Sequence, residues 1–259
     1  MKQSVNNVIT ADEMMVFAAS QLFKDGDVAL VGTGLPMIAA YAAKQTHAPN
    51  AVLVFESGIM DAKASHMASG VGDFPLVHGA VKTSSLFDSL SLLQKGTINL
   101  GFLGAAEIDA YGNINSTVIG DYQTPKVRLP GSGGANDIAS MAERTVILVK
   151  HQKRKFVEKL NYLTTPGYID GAGSREKYGL PGQGPEKVIT DLGVFYFDAA
   201  TKRMSIESLH PQVSLEKVIE ETGFEFQHIP EEIPVTEMPK PELLQTIRDL
   251  DPDKIYINK

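Results

Sequence analysis

The sequence predicts an α/β fold: an open, mainly parallel sheet flanked by helices, with an antiparallel hairpin and an extended C-terminal arm. Two observations lead to this prediction. Short continuous apolar runs, such as VALVG (28–32) and AVLVF (51–55), are typical of strands that are buried on both faces. Helical patterns alternate with these runs along the chain, and that alternation indicates helices packed on a parallel sheet.

The first 55 residues follow the order helix, strand, helix, strand. Thr10 and Glu13 have the spacing of a capping box, so we expect a helix to begin there. The apolar run at 28–32 then predicts a strand, LPMIAAYAAKQ predicts a second helix, and the run at 51–55 predicts a second strand.

The same alternation continues over the middle of the chain. A helix is expected at 85–96, a strand at 97–104, a hairpin at 106–120 that turns at Tyr-Gly-Asn, a short helix after a glycine loop at 131–134, and a strand at 145–150. KVITDLGVFYFDAATKRMSIESL predicts two antiparallel strands around a turn near Ala199–Lys202, and SLEKVIEETG predicts a helix that ends at Gly223.

The C-terminal stretch differs in composition from the rest. PEEIPVTEMPKPELLQ is rich in Pro and Glu, so we expect it to be extended and to form no compact core, with a short helix at 241–249. We therefore divide the chain into one α/β domain, residues 1–230, and a C-terminal arm, residues 231–259.

Composition excludes several classes of function. The chain has no cysteine, which removes disulfides, thiolate zinc sites and thiol nucleophiles. Its net charge of −7 argues against nucleic acid or an anionic membrane as the main partner. The first ten residues do not resemble a signal peptide, and no run of about 18 apolar residues predicts a membrane span. A cytoplasmic enzyme is expected.

Two glycine loops follow predicted strands. Gly32 and Gly34 begin a pattern like the dinucleotide fingerprint, but Met37 stands where that fingerprint has its third glycine, so a nicotinamide site is disfavoured. The second loop, LPGSGGAND, leaves backbone N–H groups open to an anion or oxyanion. Equally, it could be a tight turn that needs positive φ, and spacing alone leaves both interpretations open.

Histidines and basic residues give weaker signals. The six histidines (His47, His66, His78, His151, His210 and His228) form no metal-binding motif, so structural roles are favoured and no metal site is predicted. The basic run at 151–159 is expected to be a solvated face, with contact to the phosphates of an anionic nucleotide such as coenzyme A (CoA) as the alternative.

Glu56 follows the strand at 51–55 directly. The carboxyl ends of parallel strands are where α/β sheets bind ligands. From the residues alone, Glu56 could be a helix cap, a salt-bridge partner, a base or a nucleophile. Because cysteine is absent, a carboxylate is one of the few side chains left for covalent acyl chemistry.

Six segments in one order carry a family resemblance. DVALVGTGLPMIAAYAAKQTHAPN, VFESG, GFLGAAEIDAYGNINSTVIG, PKVRLPGSGGAND, KRKFVEKLNYLTTPGY and GPEKVITDLGVFYFD together resemble the β subunit of family I CoA-transferases, in particular the glutaconate CoA-transferase branch. The resemblance covers roughly residues 8–230. It implies an open α/β sheet and an active site shared with a related α subunit.

The resemblance also implies a mechanism and a site. Glu56 matches the glutamate that attacks the acyl-CoA thioester and then carries CoA as a glutamyl thioester to a small carboxylate, with a dicarboxylate favoured. Gly133, Gly134 and Ala135 match the turn whose backbone N–H groups stabilise the oxyanion, and the N–H groups of Gly134 and Ala135 are the expected donors. Because Glu56 has to be ionised to attack, modest burial is expected.

Other pocket residues and the partners complete the prediction. Ser57 and Gly58, with Gly32 and Gly34, are expected to line the substrate pocket. An α subunit, an acyl-CoA and a carboxylate are the expected partners, and CoA is a substrate, so no resident cofactor is expected. The alternatives are a CoA-ester hydrolase or decarboxylase on the same fold, and a non-catalytic subunit whose partner carries the chemistry.

Overall fold

A computed structural model describes residues 8–63 and 67–257. It has nine strands in one mixed sheet, two small two-stranded sheets, and helices on both faces of the large sheet. The helices are α1 (Ala11–Ser20), α2 (Leu35–Lys44), α3 (Leu86–Gln94), α4 (Ala135–Met141), α5 (Ser174–Lys177), α6 (Leu215–Glu220) and α7 (Pro241–Leu250), with a 3₁₀ turn at Phe74–Val77.

Residues 8–63 and 67–257 contain thirteen short strands. They are β1 (Val28–Leu30), β2 (Val52–Val54), β3 (Ile59–Met60), β4 (Lys82–Thr83), β5 (Leu100–Leu103), β6 (Glu107–Ile108), β7 (Ile114–Asn115), β8 (Val118–Gly120), β9 (Pro125–Arg128), β10 (Arg144–Leu148), β11 (Pro185–Ile189), β12 (Gly193–Phe197) and β13 (Met204–Leu209).

The large sheet has the order β13-β12-β11-β10-β5-β1-β2-β3-β4. Its five central strands, β11 to β2 in that order, are parallel, and the outer strands on both sides are antiparallel. The predicted open, mainly parallel sheet is confirmed. The carboxyl ends of β10, β5, β1 and β2 therefore meet at one edge.

Both faces of the central strands are buried. Successive side chains of a strand point to opposite faces. Ala29 and Leu53 pack with α1 and α2 on one face, and Leu30 and Val54 pack on the other face, where Ile138 of α4 lies. This explains why these strands are continuous apolar runs in the sequence.

The predicted first half of the chain is confirmed closely. Thr10 and Glu13 form both hydrogen bonds of a capping box at the start of α1. The expected hairpin at 106–120 includes β6 and β7, which pair antiparallel on either side of the turn at Tyr-Gly-Asn. Its last residues form β8, which pairs instead with β9 in a second small sheet that was not predicted.

The predicted antiparallel pair around the turn near Ala199–Lys202 is confirmed as β12 and β13, but the count of two strands was wrong, because the segment forms three. β11, β12 and β13 form an antiparallel meander, and the missed turn lies between Ile189 and Gly193. The hydroxyl of Thr190 accepts hydrogen bonds from the N–H groups of Leu192 and Gly193 there. A Thr-centred turn of this kind has a weak sequence signal beside the apolar residues that flank it.

The C-terminal segment is extended only in its first part. Val235 forms a bridge to Leu209, so residues before α7 do lie along the sheet edge. The helix α7, however, packs in the core: Ile247 is 0% and Leu250 is 6% exposed. The expectation of no compact core holds for residues 230–240, which are mostly exposed. It was wrong for the predicted helix at 241–249, which is confirmed as α7 and packs in the core because its apolar residues have amphipathic spacing.

Among the described residues, no helix is both long enough and apolar enough to cross a membrane.

Candidate active site

The direction of Glu56 follows from strand alternation. Val54 faces the α4 side of the sheet and Phe55 faces the α1 and α2 side. Since side chains alternate, Glu56 points to the α4 side at the carboxyl end of β2. Its side chain is half-buried, as expected from the sequence.

The chain turns sharply after Glu56. The N–H of Gly58 donates to the carbonyl of Phe55 over 2.9 Å, which closes a tight turn around Glu56 and Ser57. Gly58 has φ of +96°, and a Cβ built on it would lie 2.3 Å from the carbonyl oxygen of Ser84. Only glycine fits there, because both the backbone conformation and the contact exclude a side chain.

Residues at the start of α3 form hydrogen bonds with this turn. Ser84 donates to the carbonyl of Gly58 through its N–H and through its hydroxyl, over 2.9 Å in each case. The hydroxyl of Ser89, which is 0% exposed, donates to the carbonyl of Glu56 over 2.6 Å. Three hydrogen bonds therefore join the Glu56 turn to the segment Ser84–Ser89.

The loop before α4 meets the Glu56 carboxylate. The N–H of Gly134 donates to Glu56 Oε1 over 3.2 Å. A Cβ on Gly134 would lie 3.2 Å from that same oxygen, although its φ of −81° is open to any residue. Gly134 thus allows close approach of the Glu56 carboxylate, whereas Gly131 and Gly133 have positive φ and serve the turn. The interpretation as a turn that needs positive φ is confirmed for Gly131 and Gly133, and the oxyanion interpretation stays a prediction.

The backbone N–H groups of Ala135 and Gly133, the other two residues of this turn, differ in their hydrogen bonding. The N–H of Ala135, an expected oxyanion donor, donates to the carbonyl of Ser132 over 2.9 Å, so it is engaged within the loop. The N–H of Gly133 has no hydrogen-bond partner among the described residues. Of the three N–H groups in this turn, those of Gly133 and Gly134 are therefore not engaged within the loop, and that of Gly134 bonds to Glu56.

The first glycine loop lies beside the Glu56 turn. The N–H of Val31 donates to the carbonyl of Val54 over 2.9 Å, so Gly32 follows β1 next to the end of β2. Gly34 has φ of +98° and is the N-cap of α2. Met37, at the place of the third fingerprint glycine, is fully buried, so the close approach that this glycine provides in the fingerprint is absent.

Ser57 lies in the turn itself. Its hydroxyl oxygen is buried and has no hydrogen-bond partner within the described residues. In this conformation the hydroxyl does not reach open solvent, so its predicted place in the substrate pocket stays a prediction.

The basic run lies farther along the same sheet edge and is only partly a solvated face. Lys153 and Arg154 are exposed, but Phe156 is 0% exposed and the backbone of this run bonds to Ile108. Burial and neighbouring positive charges lower the pKa of Lys155.

The histidines are dispersed. His151 and His210 are buried and hydrogen-bonded to threonine hydroxyls, while His47, His78 and His228 are exposed. Burial lowers the pKa of His151 to about 3. His66 lies outside the described residues.

Sequence reasoning missed the support around Glu56. Ser84 and Ser89 stand within SSLFDSLSLL, where several serines lie close together and none is marked out by spacing.

Arg175 was missed for a similar reason. Its buried guanidinium binds the carbonyls of Ala139 and Ser140 at the end of α4, but in sequence it is one charged residue among others.

The fold and the site geometry define an α/β enzyme with a carboxylate at the carboxyl edge of its sheet, and comparison with known proteins supplies the family. Residues 12–221 match the coenzyme A transferase family, so the chain belongs to that family of enzymes. It is 42% identical over 255 residues to the B subunit of glutaconate CoA-transferase from Acidaminococcus fermentans, with 96% of this chain and 95% of that one covered.

Further relatives agree. The crystal structure of the Acidaminococcus enzyme superimposes with a TM-score of 0.90 at 39% identity, covering 97% of this chain and 98% of that one. The B subunit of 3-oxoadipate CoA-transferase from Pseudomonas knackmussii is 43% identical over 93% of each chain. The decarboxylase AibA/AibB is a more distant structural neighbour, with a TM-score of 0.83 at 28% identity over 96% of this chain and 97% of that one.

Proposed function

We propose that this chain is the β subunit of a CoA-transferase and that Glu56 is its nucleophile. The enzyme moves CoA from an acyl-CoA to a small carboxylate, with a dicarboxylate favoured, in two half-reactions. The observation that carries this proposal is the placement of Glu56: a half-buried carboxylate at the carboxyl edge of the sheet, with one oxygen held by the N–H of Gly134.

Four bond changes make up the first half-reaction. A carboxylate oxygen of Glu56 attacks the thioester carbon, and CoA leaves as a thiolate, which produces an acyl–glutamyl anhydride. The thiolate then attacks the glutamyl carbon and the donor acid leaves as a carboxylate. Glu56 now carries CoA as a thioester, and an acceptor carboxylate removes it by the reverse steps.

Positioning supports this role. Glutamate is a weak nucleophile in water, so the rate has to come from holding it beside the thioester, which can contribute about 7–11 kcal/mol of the barrier. The Glu56 turn is held by Gly58, by Ser84 and by Ser89, and its carboxylate is held by Gly134. The reacting side chain thus lies on a restrained backbone.

The glycine turn is placed for the charge that develops on the thioester oxygen. We propose Gly133 and Gly134 as the donor pair, because the N–H of Gly133 is open and that of Gly134 already faces Glu56. Ala135 could contribute only if its bond to Ser132 opened. Donors fixed by the backbone cost no reorganisation when the charge appears, and this is why they are effective.

A partner completes the pocket in this proposal. Relatives of this chain are named as B subunits, and the Glu56 region carries exposed apolar side chains: Val81, Leu86 and Phe87 are 79%, 52% and 78% exposed. Exposed apolar groups of this kind indicate an interaction surface. We propose that an α subunit covers them. That CoA is the only cofactor-like group and that the complex is cytoplasmic stay predictions.

The test is the mass of the β chain after the αβ complex is mixed with an acyl-CoA and no acceptor. Wild type should gain the mass of CoA less water, and peptide mapping should place the adduct on Glu56. Glu56→Gln removes the nucleophile but keeps an oxygen that can accept from Gly134, so it should bind acyl-CoA and form no adduct, and transfer should fall by at least about a thousandfold.

Glu143→Gln is the matched control. Glu143 is exposed and precedes β10, at the opposite edge of the same sheet, so this variant should form the adduct at the wild-type rate. An unmodified wild-type chain that still turns over, or a Glu56→Gln variant with near wild-type transfer, would refute the nucleophile role.

A decarboxylase or hydrolase is the second candidate, because the fold of the AibA/AibB decarboxylase is shared over nearly the whole chain. In that case Glu56 would act as a base or bind substrate. Product analysis separates the two: a decarboxylase releases CO₂ and a hydrolase releases free CoA without an acceptor, whereas a transferase needs a second carboxylate.

A further inference from the structure

The carbonyl group of Glu56 has an unusual partner. A residue just past the end of a strand usually bonds to the backbone of a neighbouring strand or to water. Here the Glu56 carbonyl accepts a 2.6 Å hydrogen bond from the hydroxyl of Ser89, which is 33 residues away on α3 and fully buried.

Ser89 has a choice of acceptors. Its single hydroxyl proton can go to the Glu56 carbonyl or to the carbonyl of Leu86, which is 2.9 Å away in the preceding turn of α3. A helical serine ordinarily bonds to its own helix in this way. The shorter distance favours Glu56, so Ser89 links the helix to the nucleophile turn instead of only closing on its own backbone.

The hydrogen bonds that support the Glu56 turn contact different parts of it. Ser84 holds Gly58, two residues beyond Glu56, and Gly134 holds the carboxylate at the far end of the side chain. The N–H of Gly58 restrains the peptide unit before the Glu56 Cα by bonding to the Phe55 carbonyl, and Ser89 restrains the peptide unit after it by bonding to the Glu56 carbonyl. The two peptide units together fix the backbone on both sides of the Glu56 Cα, and so the direction of its Cα–Cβ bond toward Gly134.

We infer that Ser89 is a positioning residue for the CoA-transfer reaction: its hydroxyl fixes the Glu56 peptide plane and so aims the carboxylate at the thioester carbon. The inference rests on the proposed nucleophile role of Glu56. Ser89 touches neither substrate nor the reacting atoms, so it acts on the rate of attack and not on the affinity for acyl-CoA.

The test measures the rate of CoA-adduct formation in the intact αβ complex, by rapid quench and mass, over a range of acyl-CoA concentrations. Ser89→Ala removes the donor with almost no change of volume. Ser89→Cys keeps a donor, although a weaker one, on a slightly larger side chain, and it decides the question if the Ala variant fails to assemble. Ser91→Ala is the control, because Ser91 lies on the same helix and its hydroxyl donates to the carbonyl of Phe87 within that helix.

Ser89→Ala should lower the maximal rate of adduct formation by about tenfold to a hundredfold, since a misplacement of about 1 Å costs that much, while the half-saturating acyl-CoA concentration changes less than about twofold. Ser89→Cys should fall between Ala and wild type. Rates are expressed per assembled complex, so that a loss of stability alone does not lower them.

Two outcomes overturn the inference, and they differ. If wild type forms the adduct and Ser89→Ala forms it at the rate of Ser91→Ala, Glu56 is the nucleophile and Ser89 does not position it. If wild type turns over without any adduct, the nucleophile role itself fails, and the positioning role fails with it.

Discussion

At the scale of single residues, the neighbourhood of Glu56 shows two different reasons for glycine. Gly58 is required because its φ of +96° and its contact with Ser84 both exclude a Cβ. Gly134 has an ordinary φ, and a side chain there would be in tight contact with the Glu56 carboxylate, because a Cβ would lie 3.2 Å from Oε1. At this position the close neighbour of the glycine is the candidate nucleophile.

His151 shows how burial sets the behaviour of a single side chain. It is 4% exposed, its ring stacks on Phe156 with centroids 3.8 Å apart, and its ring nitrogens lie within hydrogen-bond distance of the hydroxyls of Thr190 and Thr222. Burial outweighs the opposing effect of Glu221 and lowers the pKa from 6.5 to about 3. The folded protein thus holds this ring neutral.

The neutral ring predicts a loss of stability in acid. Below pH 6.5 the unfolded chain binds a proton at His151 that the folded chain does not bind until about pH 3, so the free energy of unfolding falls as pH falls through that window. At pH 5 this proton uptake by the unfolded chain lowers the free energy of unfolding by about 2 kcal/mol. His151→Gln, which cannot titrate, should lose less stability between pH 7.5 and pH 5 in urea unfolding.

The comparison with wild type isolates His151 from the other acid-titrating groups. His47→Gln is the control, because His47 is exposed and should leave the pH dependence unchanged. Equal losses for wild type and His151→Gln would show that the ring is not held neutral in the folded state.

At the scale of elements, α4 is held at both ends. Gly134, its N-cap, meets Glu56, and the carbonyls of Ala139 and Ser140 in its last turn accept hydrogen bonds from Arg175. The same guanidinium also binds the carbonyls of Gly167 and Gly182. A cation at a helix C-terminus is favourable, and here it joins the helix to two loops as well.

Removing this cation should weaken the whole region. Arg175→Met leaves buried carbonyl groups without their donor, so the free energy of unfolding should fall by about 3 kcal/mol. Arg154→Met, at an exposed arginine, should cost less than about 0.5 kcal/mol. Urea unfolding measures both, and equal stabilities for the two variants would contradict the role of Arg175.

At the scale of the whole molecule, the last described helix lies beside the first. Arg248 of α7 pairs with Glu13 of α1 over 2.6 Å, and the Glu13 side chain is 0% exposed. The hydroxyl of Tyr256 donates to the carbonyl of Ala68 over 2.6 Å, and Ile257 is 1% exposed. The C-terminal residues therefore pack against the layer that α1 and α2 form on one face of the sheet.

A core position in α7 tests this arrangement. Ile247→Ala should lower the free energy of unfolding by about 3 kcal/mol, because it opens a cavity against α1 and α2. Gln245→Ala, two residues earlier on the exposed face, should change stability by less than about 0.5 kcal/mol. If Ile247→Ala were as mild as the control, the segment would be a detached arm after all.

Local patterns account for much of the fold. The apolar runs at 28–32 and 51–55 predict buried parallel strands, and the Thr10–Glu13 spacing predicts the start of α1, because these signals depend on neighbours within a few residues. The turn at Thr190 and the packing of α7 were not predictable in this way. The sequence signal of the Thr190 turn is weak beside the longer apolar run that contains it. The packing of α7 depends on faces of α1 and α2 that are more than 190 residues away.

The sequence by itself determined the α/β class, the order of most elements, the place of Glu56 after a strand and, through its motifs, the resemblance to CoA-transferases. Only the tertiary structure decided which groups meet Glu56. The donor Gly134 lies 78 residues away and Ser89 lies 33 residues away. Contacts at such separations leave no periodic pattern in a single sequence, because they are set by how the strands and helices pack rather than by the residues beside them.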